Sequence, residues 1–295
     1  VLMFKKKINL IYWDSENFGD ALSPLLVEEL SGLQTQHKLS PMSVYNIRLL
    51  LKRLSRLEFF RLKSLLLPWQ ETLLCVGSVM SWGKKSSVVW GAGFMNHSDS
   101  FEGGKTLAVR GRLTDEKLRK DGFPGCGVFG DPALLLPLWI RPERKKRYKL
   151  GIVPHWHEVD FFLEHYGKRY HIIDLRTSDV SKVVSEIAAC EYVLSTSLHG
   201  VIVAHAYQIP SLWIRKGYID TDGFKFHDYF SSVGIPAYYG FDNIEEILAD
   251  ENGWMSCFER HRDKAEIRCS LPALQSGLLE NAPFPLKEKY QKFIL

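Results

Sequence analysis

Short apolar runs that end in glycine or a polar turn recur along this chain: KINLIYW (7–13), TLLCVG (72–77), SVVWGAG (87–93), TLAVRG (106–111) and GVFGDPALLLP (127–137). Runs this short, apolar throughout and without strict alternation, read as strands buried on both faces. Parallel sheets with crossover helices provide that environment. A charged segment containing a proline, RPERKKRYK (141–149), interrupts the series, and the pattern then restarts. KLGIVPH (149–155), HIIDL (171–175), EYVL (191–194) and SLWI (211–214) read as strands; DFFLEHYG (160–167), VSKVVSEIAA (180–189) and residues 201–207 read as helices. Near the start, a helix is expected from Ala21 to Leu30 with Asp20 as its cap.

Two successive βα arrays joined by a charged linker predict an α/β protein of two Rossmann-like domains facing a cleft. The expected division is 1–141 for the N-terminal domain and 142–270 for the C-terminal one. Residues 271–295 form a proline-bearing tail, with a last helix over 286–293, expected to pack back on the N-terminal domain. A length of 295 residues suits two cores better than one. The net charge of +4 favours anionic ligands mildly and falls short of a nucleic-acid binder's signature. The five cysteines (75, 126, 190, 257 and 269) are widely spaced with no CxxC, which fits reduced thiols rather than a disulfide frame or a zinc site. Lys5–Lys7 is followed only by Ile8–Trp13 before Asp14, too short for a signal sequence or a membrane span. A cytoplasmic location is expected, free or peripheral on the inner face of the membrane. A basic stripe within 48–63 (Arg48, Lys52, Arg56, beside Phe59 and Phe60) reads either as a surface for anionic lipid or as the solvated face of a packed helix.

The segment STSLHGVIVAHAYQIPSLWI (195–214) puts three hydroxyls and a His–Gly pair where a buried strand becomes a helix. A helix start offers unpaired N–H groups to an anion, here with Ser195, Thr196 and Ser197 as added donors around Leu198 and Gly200. His199 reads either as a proton donor there or as an ordinary first-turn residue behind a Ser197 cap. DSENFGD (14–20) holds the equivalent place in the first array, with Asn17 and Gly19 in a tight turn and Asp20 as a cap or a base facing the cleft. It lacks the GxGxxG spacing of a dinucleotide site. Arg110 and Arg112 leave a strand at its carboxyl end, where a guanidinium fork meets carboxylates or phosphates. His155 and His157 flank Trp156, but Glu158 is the one further ligand nearby, so a metal site is not expected and His155 is read as cleft-lining.

In order along the chain, NFGD (17–20), VVWGAGF (88–94), AVRGRLT (108–114), GDPALLLP (130–137), GIVPHW (151–156), STSLHGVIVAHAYQIPSLWI and KFHDYFSSVG (225–234) resemble the polysaccharide pyruvyl transferase family. The resemblance implies a GT-B-like pairing of the two domains. It also implies transfer of pyruvate from phosphoenolpyruvate onto two hydroxyls of a sugar, in a cell-surface polysaccharide or its lipid-linked precursor, giving a cyclic ketal and phosphate. It points to His199 as acid, Asp20 as base, and Arg110, Arg112, Ser197, Leu198 and Gly200 as donor contacts. Asn17, Gly19 and His155 would then line the acceptor side of the cleft. Phosphoenolpyruvate is a co-substrate, and neither a metal nor a redox cofactor is expected. The family pattern leads one to expect an arginine two residues before the histidine; this chain has Ser197. A GT-B glycosyltransferase using a nucleotide sugar, and a non-catalytic sugar-binding protein, are the competing readings.

Overall fold

The computed structural model describes residues 7–13, 17–38, 70–143, 145–217 and 221–295. The basic stripe of 48–63 and Asp14–Glu16 lie outside the described residues. Among the described residues the chain is a mixed α/β structure with two parallel sheets. The first has the order β2-β1-β3-β4-β5, formed by β1 (Lys7–Leu10), β2 (Gln34–His37), β3 (Thr72–Leu74), β4 (Ser87–Trp90) and β5 (Lys105–Ala108). The second has the order β7-β6-β8-β9, formed by β6 (Tyr148–Val153), β7 (His171–Ile172), β8 (Cys190–Ser195) and β9 (Ser211–Trp213).

Helix α1 (Phe18–Ser31) follows β1 and begins three residues earlier than the sequence suggested. Its cap is Asn17, whose side chain accepts from Gly19 N at 3.0 Å. Asp20 instead sits inside the first turn, and its carboxylate accepts from Trp13 N at 3.2 Å. Gly32 closes the helix in the left-handed region, φ 73°. Leu22, Leu26, Val27 and Leu30 form its buried face. The later helices that matter for the site are α2 (Arg112–Lys120), α3 (Val159–Tyr166), α4 (Val180–Ala188), α5 (Leu198–Ala206) and α6 (Phe224–Val233).

Two elements depart from the sequence reading. β2 is a polar edge strand, QTQH, and carries no apolar run by which to find it. GVFGDPALLLP does not extend the sheet: Val109 and Phe129 make a single bridge, and Pro132–Leu138 is a 3-10 helix. Pro132 and Pro137 supply no amide hydrogen for a ladder, and Asp131 starts the helix by accepting from Ala133 N at 2.9 Å. The expected last helix over 286–293 is shorter, Glu288–Gln291.

The two sheets share one continuous apolar core, which runs from Ile8, Leu22 and Trp90 to Ile173, Val183, Val201 and Phe226. Phe18 N donates to Leu175 O at 2.9 Å, fixing the start of α1 against the second array. The C-terminal segment lies across the first array: Trp90 Nε1 donates to Leu278 O at 2.8 Å, and Lys287 N to Leu30 O at 2.8 Å. After β9 the chain crosses back, so that α6 packs on α2.

Asp131 is fully buried, and burial pushes its carboxyl up from 3.8 to about 6. A carboxyl that binds its proton more tightly in the fold than in the unfolded chain contributes stability below pH 4 that is lost as pH rises through 6. A difference of about two pH units corresponds to about 3 kcal/mol. Asp131→Asn keeps an acceptor for Ala133 N and removes the titration. Denaturant unfolding of wild type should lose stability between about pH 4 and 6 that the variant retains; equal pH slopes for the two proteins would refute this assignment.

Candidate functional site

In an open parallel sheet, ligands sit beyond the carboxyl ends of the strands, where neighbouring connections depart in opposite directions. That point lies between β1 and β3 in the first sheet and between β6 and β8 in the second. The loops leaving all four strands line one cavity of about 260 Å³. Trp13 and Asn17 follow β1, Gly77 and Ser78 follow β3, His155 and Trp156 follow β6, and Ser197 and His199 follow β8. Gly19, Asp20, Trp82, Met95, Leu198 and Lys225 also contribute to its wall.

The strand-to-helix turn at β8–α5 is built from its hydroxyls. Ser195 Oγ accepts from Ser197 N at 3.0 Å and lies 2.7 Å from the carbonyl oxygens of Val153 and Ser197. Thr196 Oγ1 accepts from His155 N at 2.7 Å, tying the loop after β6 to the loop after β8. Of the three hydroxyl residues expected to face an anion, only Ser197 therefore lines the cavity. Ser197 is the N-cap residue of α5, but its side chain makes no capping bond. The first-turn amides of Leu198, His199 and Gly200 have no helical carbonyl to bond. Gly200 itself does not line the cavity. A Cβ there would lie 2.3 Å from Ser195 Oγ, so glycine lets the helix start against the strand end.

His199 packs against the start of α1. A Cβ on Gly19 would fall 2.3 Å from His199 Nδ1, so the glycine of NFGD makes room for the imidazole of the second array. His199 Nε2 is buried and has no hydrogen-bond partner among the described residues; the same holds for His155 Nδ1. Such orphaned polar atoms are uncommon in a folded interior and point to a missing partner. Both imidazoles are held far below their usual range, at about 3. Burial is the largest cause in each case, followed by the charge of Lys225, with Arg110 adding to the effect on His199 and His157 to that on His155. At neutral pH both rings are therefore uncharged.

The sequence reading of the arginines needs correction. Arg110 is completely buried and does not line the cavity. Its Nε donates to Asp228 Oδ2 at 2.9 Å, Nη1 to Ser78 Oγ at 2.7 Å, and Nη2 to Phe94 O at 2.5 Å. Asp228 also accepts from Thr114 N and Thr114 Oγ1, each at 2.8 Å. Burial pushes the Asp228 carboxyl up, opposed by the guanidinium and both Thr114 donors. Arg112 is exposed at the start of α2, its guanidinium 4.6 Å from the centre of the Phe129 ring, and it does not line the cavity. Among the described residues the cation in the cavity wall is Lys225, buried in the first turn of α6. It lies one helical turn before Asp228. Sequence reasoning passed over it because KFHDYFSSVG shows no spacing that separates a ligand-facing lysine from a solvated one. Met95 and Ser78 were missed as well, lying in loops with no chemical pattern. Among the described residues no group of three or more His, Cys, Asp or Glu is arranged to hold a metal ion.

Comparison with known proteins now gives the class. The family model for polysaccharide pyruvyl transferase matches residues 17–216, and the chain belongs to that family. The chain is 31% identical over 170 residues to protein L143 of Acanthamoeba polyphaga mimivirus, covering 54% of this chain and 59% of that one. It is 27% identical over 133 residues to succinoglycan biosynthesis protein ExoV of Rhizobium meliloti (strain 1021), covering 43% of this chain and 40% of that one. The match thus spans little more than half of the first relative and less than half of the second. No solved structure matches the chain. No helix among the described residues is long and apolar enough to cross a membrane.

Because Lys225 depresses both imidazoles, Lys225→Met should raise the pKa of His155 and His199 toward the ordinary value of 6.5 while leaving them partly depressed by burial. Histidine titration followed by NMR in the substrate-free protein reads this directly. Unchanged titration of both rings would show that Lys225 does not set their protonation.

Proposed function

We propose that this protein transfers pyruvate from phosphoenolpyruvate onto two hydroxyls of a sugar, forming a cyclic ketal on a cell-surface polysaccharide or its lipid-linked precursor. Family membership and the likeness to a succinoglycan biosynthesis protein support the reaction class. The observation that carries the donor assignment is the cavity itself: a buried lysine, two uncharged imidazoles with orphaned nitrogens and a helix start converge on it. That combination asks for a small, highly charged anion. A cavity of about 260 Å³ lies just below the usual range of ligand sites, about 300–1,000 Å³, and suits a three-carbon acid phosphate better than a whole nucleotide sugar. The facing switch points of the two sheets support a GT-B-like pairing of domains.

In this reading Lys225, the amides of α5 and the Ser197 hydroxyl bind the phosphate and carboxylate. Lys225 thus takes the place of the cation that Ser197 does not supply. His199 is neutral before the donor arrives. A dianionic phosphate beside it offsets the charges of Lys225 and Arg110, so its pKa rises and it takes up the proton it later delivers. Donor affinity should therefore fall as pH rises from about 3, the value of the free ring, toward the value His199 reaches in the complex, and level off above it.

Delivery of that proton to the methylene carbon leaves an oxocarbenium-like centre at the neighbouring carbon. One sugar hydroxyl adds there, the carbon–oxygen bond to phosphate breaks, and the second hydroxyl closes the ring. Of the two hydroxyl protons released, one balances the new methyl group and the other leaves with phosphate. In this reading Asp20, which lines the cavity from the first turn of α1, is the base that accepts a hydroxyl proton.

Phosphate release from phosphoenolpyruvate with lipid-linked and free saccharide acceptors tests the activity. His199→Ala should lower single-turnover rate by about 10²–10⁴-fold, the usual contribution of a general acid, with donor affinity changed far less. Near-normal turnover in His199→Ala would remove the histidine from the chemistry. A thermal shift with a nucleotide sugar and none with phosphoenolpyruvate would favour a glycosyltransferase.

A further inference from the structure

Three tryptophans belong to the cavity wall: Trp13, Trp82 and Trp156. Trp13 and Trp82 keep 36% and 40% of their surface exposed, whereas Lys225 keeps 7% and His199 Nε2 is buried. Lys225 and the His199 ring nitrogen thus lie inside, and the indoles of Trp13 and Trp82 form the more exposed wall. Each indole is carried just past the carboxyl end of a strand: Trp13 after β1, Trp82 in the 3-10 helix Met80–Trp82 that follows β3, and Trp156 after β6. Two are braced. The rings of Trp13 and Trp156 are 5.4 Å apart at 57°, and Trp156 lies over His157 with 3.4 Å between ring centres.

Indole is a large, rigid, mostly apolar surface, and so much of it left in water at a pocket mouth calls for a partner. The tilt of Trp13 on Trp156 leaves no parallel slot between them for a planar base. The three indoles themselves are uncharged, so the surface they offer suits an uncharged face of a ligand. A pyranose fits both conditions: one face of the ring is a patch of C–H groups, and its edge carries hydroxyls.

We infer that the Trp13–Trp82–Trp156 rim is a saccharide subsite, which holds the C–H face of a pyranose over the inner anion site so that its hydroxyls point at Asp20 and the bound donor. This rests on the pyruvyl-transfer reading for its place in the reaction, but not for its existence.

The test measures the two ligands separately on the full chain. Saturation-transfer NMR reads binding of methyl β-glucoside, methyl β-galactoside, methyl α-mannoside, lactose and cellobiose; calorimetry reads phosphoenolpyruvate. In wild type, irradiation of the aromatic protein signals should label pyranose C–H protons. Trp82→Ala should weaken saccharide binding about tenfold, Trp82→Phe should restore most of it, and phosphoenolpyruvate affinity should stay within about twofold. The inference is overturned by unchanged saccharide binding in Trp82→Ala, by equal weakening of both ligands, by no transfer to any pyranoside, or by preferential transfer to the base of a nucleotide sugar. Saccharide binding that depends on Trp82 in a protein that does not bind phosphoenolpyruvate would instead keep the subsite and discard the pyruvyl-transfer reading.

Discussion

A buried ion pair, Arg110 with Asp228, holds the site together. Neither side chain is exposed, and the pair spans 118 positions of sequence. Attraction between buried charges is largely offset by the cost of taking them from water, so the pair's main effect is to fix position. Arg110 leaves β5 of the first sheet, whereas Asp228 belongs to a helix that follows the second. Joining them seats α6 on α2 and sets Lys225, one turn earlier, in the cavity wall. Gly111 is part of this contact, because a Cβ there would lie 1.8 Å from the Asp228 carbonyl oxygen. Removing either charge leaves its partner buried and unpaired, which typically costs about 3–5 kcal/mol.

The electrostatics of the cavity follow from that placement. Burial first, and then the charge of Lys225, keeps both imidazoles uncharged. A site with positive charge, helix-end amides and neutral histidines gains most from an anion that also gives His199 a reason to bind a proton. In the proposed reaction the same ligand is both held and activated. Around this inner region the exposed indoles provide a surface of opposite character, suited to an uncharged partner.

Much of the fold was legible because buried parallel strands leave a plain mark. KINLIYW, SVVWGAG and KLGIVPH each contain a strand, and the chain order of His155, Ser197 and His199 after their strands led to one cavity. What was illegible depended on partners distant in sequence. QTQH is a strand only because β1 lies beside it. Arg110 at a strand end looked like a ligand contact; that Asp228, Ser78 and Phe94 occupy its donors is a tertiary fact. Lys225 was overlooked for the converse reason, since a lysine in the first turn of a helix is ordinarily solvated. Asp20 was read as a cap three residues from the true one, because Asn17 and Asp20 both carry side chains suited to the task.

The central claim is that Lys225, seated by the Arg110–Asp228 pair, makes this cavity a site for phosphoenolpyruvate. Calorimetric titration of phosphoenolpyruvate into wild type and Lys225→Met, with unfolding curves to show that both are folded, tests it most directly. The account predicts binding to wild type and a loss of at least about tenfold in the variant, because a buried charge-assisted contact contributes about 1.5–3 kcal/mol. Equal affinity in the two folded proteins would contradict it.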